Sequence, residues 1–305
     1  DMDDHLSAFE AIVNGMLPDK DFDGVVAMDW EVWYPTFDQL YGNMAVYADE
    51  SVKLVLSKQP TLNATQAKAI AATEFNAAAK ALLLETLRKG KSLRPKGRWG
   101  FYDYPRCMSY ADCMGADGTN AASKGDTSCS PSYQRYNDVE LDWLHSETTA
   151  FLPSLYLQST TNASQNLLYT KCMTAEAMRV ARKKAKPVFP FTWYSYDTAA
   201  PYGVYLSEQD AVAEWDTPAR MGAAGLILYG GIGDCGNTTL CARLHDYVDG
   251  QLGPRMERLV RNADACSKAN CSGNGRCVAE PAVRCDCFAG FAGARCQQPR
   301  PRPSV

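Results

Sequence analysis

Five short apolar runs, each parted from the next by a longer helical pattern or a polar loop, set the tightest limit on what this chain can fold into. The runs are Val25–Val32, Arg98–Tyr104, Phe151–Leu157, Pro187–Tyr194 and Gly225–Tyr229. Helical patterns fall at 37–57, at 63–89 (rich in Ala, Leu, Glu and Lys behind Asn63-Ala-Thr), and at Leu168–Lys184, Ser207–Met221 and Leu240–Asn262. Repeated strand–helix units imply an α/β fold with a parallel sheet. Five strands are fewer than a closed barrel needs. With 305 residues, 46% of them hydrophobic, the chain can bury one large core and carry something small beside it.

The first run ends in two carboxylates. Strand side chains alternate, so Val25, Ala27, Asp29, Glu31 and Trp33 share one face while Val26, Met28, Trp30 and Val32 share the other. Apolar residues on both faces predict a strand buried between a core and covering helices, where an unpaired acid is costly. A helix cap or a buried arginine partner is the plain explanation for one acid at a strand end. Two acids at i and i+2 lie about 6.5 to 7 Å apart and point the same way, so they can address one bound group. Their repulsion raises the pKa of the less solvated one, which keeps a general acid protonated beside an anion.

A net charge of −4 leaves no basic field for nucleic acid, and no apolar stretch reaches 18 residues, so no transmembrane segment is expected. Six of the eleven residues from Arg88 to Arg98 are basic, as are Arg182, Lys183, Lys184 and Lys186. Both clusters sit between a helix and the next strand and read as solvated faces. The histidines, His5, His145 and His245, fall in helical or loop stretches, and no Gly-X-Ser-X-Gly elbow exists, which disfavours a protease or esterase. No metal-ligand cluster and no phosphate loop is evident, so neither metal nor cofactor is expected. Twelve cysteines and four Asn-X-Ser/Thr sequons, at Asn63, Asn162, Asn237 and Asn270, point to the secretory route. The chain carries no signal peptide and starts at Asp1, so it reads as processed or incomplete.

After residue 262 the composition changes. Cys266, Cys271, Cys277, Cys285, Cys287 and Cys296 are interleaved with glycines, and the segment resembles an EGF-like module. That resemblance implies the bridges Cys266–Cys277, Cys271–Cys285 and Cys287–Cys296, which would hold together a segment too short for a core. A zinc cluster is the weaker alternative, since no histidine and no paired knuckles occur. The reading is a catalytic-size unit over 1–262, an EGF-like module over 263–298 and a disordered Pro-rich tail over 299–305.

The run Asp29-Trp-Glu-Val-Trp-Tyr-Pro35 resembles the Asp-Trp-Glu-X-Trp-X-Pro signature of the hyaluronidases, family 56 of the glycoside hydrolases. Trp99-Gly-Phe-Tyr102, Leu152-Pro-Ser-Leu-Tyr156, Pro187-Val-Phe-Pro with Asp197 beyond it, Gly222-Ala-Ala-Gly-Leu-Ile-Leu and Leu252-Gly-Pro follow in the family's order. The resemblance spans about residues 1–298. It implies a TIM-like barrel with the acids at its C-terminal face, two further strands before residue 1, and a Cys107–Cys129 bridge. It makes Glu31 the proton donor and Asp29 the group orienting the substrate's acetamido, whose carbonyl serves as nucleophile in a substrate-assisted, retaining hydrolysis. Tyr156 would hydrogen-bond that carbonyl, and Tyr102, Ser154 and Asp197 would line the groove. The implied partner is a glycosaminoglycan, hyaluronan or chondroitin, in a secreted or lysosomal enzyme whose EGF-like module can make protein contacts.

The chain departs from the family pattern at three places. Tyr229 stands where a tryptophan usually ends the strand after Gly-Ala-Ala-Gly, Phe191 replaces a groove tyrosine, and Arg106 precedes Cys107 where vertebrate enzymes have aspartate. Arg106 is expected either to pair with a uronate carboxylate or to form a surface ion pair. Cys241 lacks its family partner, leaving it unpaired or bridged to Cys235. A protein that binds a glycosaminoglycan without cleaving it, or an adhesion protein, is the rival reading.

Overall fold

The alternation of helix and strand is realised as short parallel pairs. A computed structural model of the chain describes residues 1–31, 33–107, 113, 128–197, 202–288 and 290–300. It divides into two compact units, Asp1–Tyr102 with Arg135–Ala150, and Asp103–Gln134 with Phe151–Val305.

In the first unit β1 (Val25–Met28) pairs in parallel with β2 (Arg98–Phe101), Val25 opposite Arg98 and Met28 opposite Phe101. β1 is four residues long and stops before the acids, because its last rung is the Tyr102 N–H donating to the Met28 carbonyl at 3.0 Å. Helix α1 (Met2–Met16), which the sequence reading did not foresee, precedes β1. The helix expected at 37–57 is two 3-10 turns, Phe37–Gln39 and Gly42–Met44, followed by α2 (Ala45–Lys58). α3 (Ala64–Leu93) packs against both α1 and α2, and Phe37, Leu40, Val55, Ala67 and Ala71 close the core between them. Trp99 of β2 is fully buried against Gly90 of α3. A Cβ at Gly90 would lie 2.6 Å from the indole, so only glycine lets helix and ring approach so closely.

In the second unit β3 (Phe191–Trp193) pairs in parallel with β4 (Ile227–Tyr229). The run 151–157 joins this sheet through two isolated parallel bridges, Phe151 to Val188 and Ser154 to Phe191, and is not a continuous strand. It keeps the period of two from Pro153 onward: Pro153, Leu155 and Leu157 are buried while Ser154, Tyr156 and Gln158 are half-buried. Helix Ala163–Lys184 covers one side, where Phe151, Ala177, Met178, Val180, Ala181 and Val188 form a core.

Two of the expected helices are broken by π-turns. The one over Ser207–Met221 is Glu208–Ala211, a π-turn Val212–Asp216 and Thr217–Met221; the last one is Thr238–Tyr247, a π-turn Val248–Leu252 and Gly253–Cys271. Pro218 and Pro254 start the segments after the breaks. A proline has no N–H for the carbonyl one turn back, and a π-turn absorbs the missing bond.

Helix Gly253–Cys271 runs through residue 262 and carries Cys266 and Cys271 into the cysteine-rich segment. There β5 (Gly275–Val278) pairs antiparallel with β6 (Arg284–Cys287), and β7 (Phe291–Ala292) with β8 (Gln298–Pro299). Disulfides join Cys266–Cys277, Cys271–Cys285 and Cys287–Cys296, and upstream Cys107–Cys129, Cys113–Cys172 and Cys235–Cys241. The segment is tied down by the Ala279 N–H donating to the Arg220 carbonyl at 2.7 Å and by an Arg220–Glu280 ion pair at 2.8 Å. Of the expected tail, Pro299 pairs in β8 and the Arg300 N–H donates to Gly290; residues 301–305 lie outside the described residues.

Three of the four sequon asparagines have a structural task. Asn63, Asn162 and Asn237 are helix N-caps whose side chains accept from the N–H of Gln66, Gln165 and Leu240. The first two form capping boxes with the glutamine three residues on.

Candidate functional site

In the first unit the expectation of a strand buried on both faces is corrected. Ala27, Asp29 and Glu31 are exposed, whereas Met28 is buried and Trp30 half-buried. The alternation holds, but the acid-bearing face looks to solvent, so neither carboxylate bears the desolvation cost the sequence suggested.

What fixes the acids is the aromatic packing behind them. Trp30 lies 6.2 Å from His5 and 5.8 Å from Trp33, and Trp33 lies 5.6 Å from Phe75 of α3, ring centre to ring centre. Trp33 therefore packs inward and leaves the face it was expected to share with Asp29 and Glu31. Beyond it Tyr34, Pro35, Thr36 and Phe37 are buried, and the Phe37 N–H donates to Asn76 Oδ1 at 2.7 Å. Trp30, Trp33 and the buried run after them thus anchor the segment, with both acids on the exposed side. Tyr102 is held beside them, since its N–H closes the ladder on Met28, the residue before Asp29.

The second unit gathers the aromatic candidates. The register that sets Trp193 opposite Tyr229 brings their ring centres to 5.3 Å at 77°. Tyr156 lies 5.7 Å from Trp193 and 5.8 Å from Tyr229, so the three rings form one cluster. Tyr229 is 45% exposed, a large apolar surface left to water at a strand end. Trp193 was not among the expected site residues; its place in the period-two pattern of β3 beside Tyr229 is the signal that could have found it.

Buried acids tie down the segments that flank this cluster in sequence. Asp234 accepts from the Tyr194 hydroxyl at 2.8 Å and the Gly231 N–H at 2.6 Å. Asp210 accepts from Asn166 Nδ2, from the Tyr196 hydroxyl and from the Ser207 hydroxyl, all within 2.8 Å. Burial together with the Asp234 charge holds the Tyr194 phenol well above its ordinary pKa. Asp197 is exposed, its N–H donating to the Leu157 carbonyl at 2.8 Å, and partial desolvation raises its carboxyl above the usual range.

Arg106 is neither a surface ion pair nor an open cation. It is 7% exposed, pairs with Asp103 at 2.9 Å and lies 5.6 Å from the centre of the Tyr104 ring. Asp103 has a left-handed φ of +66°, and its carboxylate accepts from the Ser154 backbone N–H. Burial pushes the Asp103 carboxyl up, against the pull of Arg106 and of that amide. The guanidinium is thereby committed within the protein, and Ser154 is fixed through its backbone. An i,i+3 Asp–Arg pair was the sequence signal for this link.

Among the described residues, the sulfurs that could gather round a metal belong to Cys107, Cys113 and Cys172, all of which are in disulfides. His5 Nε2 bonds the Thr86 hydroxyl at 2.7 Å, His145 is buried with Nδ1 on the Asn137 carbonyl at 3.0 Å, and His245 is exposed.

Comparison with known proteins covers both units. A family model described as Hyaluronidase matches residues 1–283. A "Hyaluronidase" of Crotalus adamanteus is 32% identical over 283 residues, which is 90% of this chain and 60% of the relative. "Hyaluronidase-3" of Rattus norvegicus is 32% identical over 98% of this chain and 76% of its own length, and a "Chondroitin hydrolase" of Caenorhabditis elegans is 29% identical over 97% and 65%. The crystal structure of bee venom hyaluronidase in complex with a hyaluronic acid tetramer is similar at a TM-score of 0.76 and 27% identity, covering 85% of this chain and 77% of that one. The chain spans about 60% of the length of its snake-venom relatives. No helix among the described residues is long and apolar enough to cross a membrane. With the strand-end acids and the aromatic cluster both falling inside the matched segment, the chain belongs to the hyaluronidase family.

Proposed function

We propose that the chain acts as an endo-β-N-acetylhexosaminidase on hyaluronan or chondroitin, on a TIM-like barrel scaffold. The observation that carries the reading is the exposed Asp29/Glu31 pair, held at the end of β1 by Trp30 and Trp33 in a chain of this family. The names of its relatives, a chondroitin hydrolase among the hyaluronidases, set the substrate class.

In the proposed reaction the Glu31 carboxyl gives its proton to the glycosidic oxygen as the bond from that oxygen to the sugar's anomeric carbon breaks. The substrate's acetamido carbonyl oxygen attacks the same carbon, and Asp29 orients the acetamido and offsets the positive charge that develops on it. Glu31, now an anion, takes a proton from water as that water opens the cyclic intermediate, which returns the enzyme and retains the anomeric configuration. A nucleophile supplied by the substrate suits two acids that leave one strand on the same side and need not flank the ring. Tyr156 would steady the acetamido carbonyl, while Tyr102, Ser154, Asp197 and Tyr229 bind the polymer. Arg106, committed to Asp103, shapes that surface through Ser154 instead of meeting a uronate. The disulfides support a secreted or lysosomal setting, and the Cys266–Cys296 segment is read as an EGF-like module open to protein contacts.

Release of new reducing ends from hyaluronan and from chondroitin tests the reading. The chain should cleave at least one polymer, and Glu31→Gln should lower turnover about 10³-fold while polymer binding persists. Equal turnover in both proteins would remove Glu31 as proton donor; binding by both with cleavage by neither would favour a non-hydrolytic glycosaminoglycan-binding protein.

A further inference from the structure

Neighbouring parallel strands exchange hydrogen bonds in a fixed rhythm. Phe191 keeps it, its N–H donating to the Pro153 carbonyl at 2.8 Å and its carbonyl accepting from the Leu155 N–H at 2.9 Å. Two residues on, the next rung would send the Trp193 N–H to the Leu155 carbonyl. That N–H goes instead to a side chain, Glu214 Oε1, at 2.5 Å. Glu214 sits in the π-turn Val212–Asp216, is 0% exposed, and its Oε2 has no hydrogen-bond partner among the described residues. A carboxyl has been brought wholly into the interior to end a strand pairing at the residue whose ring joins Tyr156 and Tyr229.

We propose that Glu214 is a positioning residue which, by holding the Trp193 backbone, sets the Tyr156–Trp193–Tyr229 cluster in the arrangement that receives the polysaccharide. The inference rests on the functional reading above and deepens it: the specificity surface depends on a residue that touches no substrate. The surroundings favour a neutral carboxyl. Burial raises its pKa most, the negative charges of Asp210 and Asp197 add to that, and the Trp193 N–H opposes them only in part. The Tyr247 phenol, on helix Thr238–Tyr247, also faces this charge. A neutral acceptor suffices, because the task is one hydrogen bond to one buried N–H. With that acceptor gone the N–H would stand unpaired in the interior, and the strand would shift towards another acceptor, carrying the Trp193 ring with it.

The test uses the whole chain with Glu214→Gln, which keeps a neutral acceptor, and Glu214→Leu, which keeps bulk but no acceptor. Glu214→Asp, its oxygen withdrawn by one methylene, serves if the leucine variant does not fold. Michaelis constants on hyaluronan and chondroitin are measured beside hydrogen exchange at the Trp193 amide. Glu214→Gln should match the parent within about twofold; Glu214→Leu should raise KM about tenfold with little change in kcat, and its Trp193 amide should exchange at least about tenfold faster. A leucine variant with unchanged KM, or a glutamine variant as impaired as the leucine one, would overturn the proposal. If the parent chain cleaves neither polymer, the functional reading falls by itself. Amide exchange and near-UV circular dichroism then decide the Glu214–Trp193 link, and an unchanged Trp193 amide or an unchanged aromatic spectrum in Glu214→Leu would overturn it.

Discussion

The two units invert one another at their strand ends. Beyond β1 the acids Asp29 and Glu31 face solvent and the rings of Trp30, Trp33 and Phe75 pack behind them. At the ends of β3 and β4 the rings of Trp193 and Tyr229 pack together, and the acids Asp210, Glu214 and Asp234 are buried. An exposed carboxylate can be reached by a ligand from solvent. A buried one persists only when neutral or fully hydrogen-bonded, and it then acts as an anchor. Each unit thus displays at its strand ends the residue type that the other buries.

This contrast can be broken at several points. The largest effect is expected at Asp29: Asp29→Asn should lower kcat about 100-fold through misplacement of the acetamido group, with KM nearly unchanged. A mainly raised KM would move Asp29 to the binding side. At Glu214 the effect is on stability and has a sign. A carboxyl whose pKa is raised on folding binds its proton more tightly in the folded state, so stability is highest below the ordinary glutamate range. It falls as pH rises from there towards the raised value. Glu214→Gln should flatten that decline in a series of melting temperatures against pH, and an unaltered slope would show that Glu214 is already charged when folded. The smallest effects lie at the caps. Asn63→Ala in the first unit and Asn162→Ala in the second should each cost about 1 kcal/mol in denaturant unfolding, whether or not the asparagine carries a glycan. A negligible cost at either would leave that sequon with no structural task.

Much of this was legible in the sequence, and what was not has definable causes. The apolar runs located both strand pairs, and the period of two placed Asp29 with Glu31 and Ser154 with Tyr156 correctly even where 151–157 forms no regular strand. Strand lengths were overestimated, because hydrophobicity continues past the point where the partner ends: β1 stops where Phe101 does. Burial of the acids was misjudged for the related reason that an apolar run does not say whether a neighbour covers each face. Glu214, Asp103 and the π-turns depend on tertiary partners many residues away or on the loss of one proline N–H, and periodicity carries neither. Trp193 lies outside the motif tyrosines, and only the strand register sets it opposite Tyr229.

The most direct measurement is a paired assay of polymer binding and polymer cleavage on two variants, Glu31→Gln and Tyr229→Ala. The account predicts that Glu31→Gln abolishes cleavage and keeps the parent's affinity, whereas Tyr229→Ala weakens affinity about tenfold and keeps most of the turnover at saturation. If both variants lost the same function to the same degree, the division between acids that react and rings that bind would be wrong.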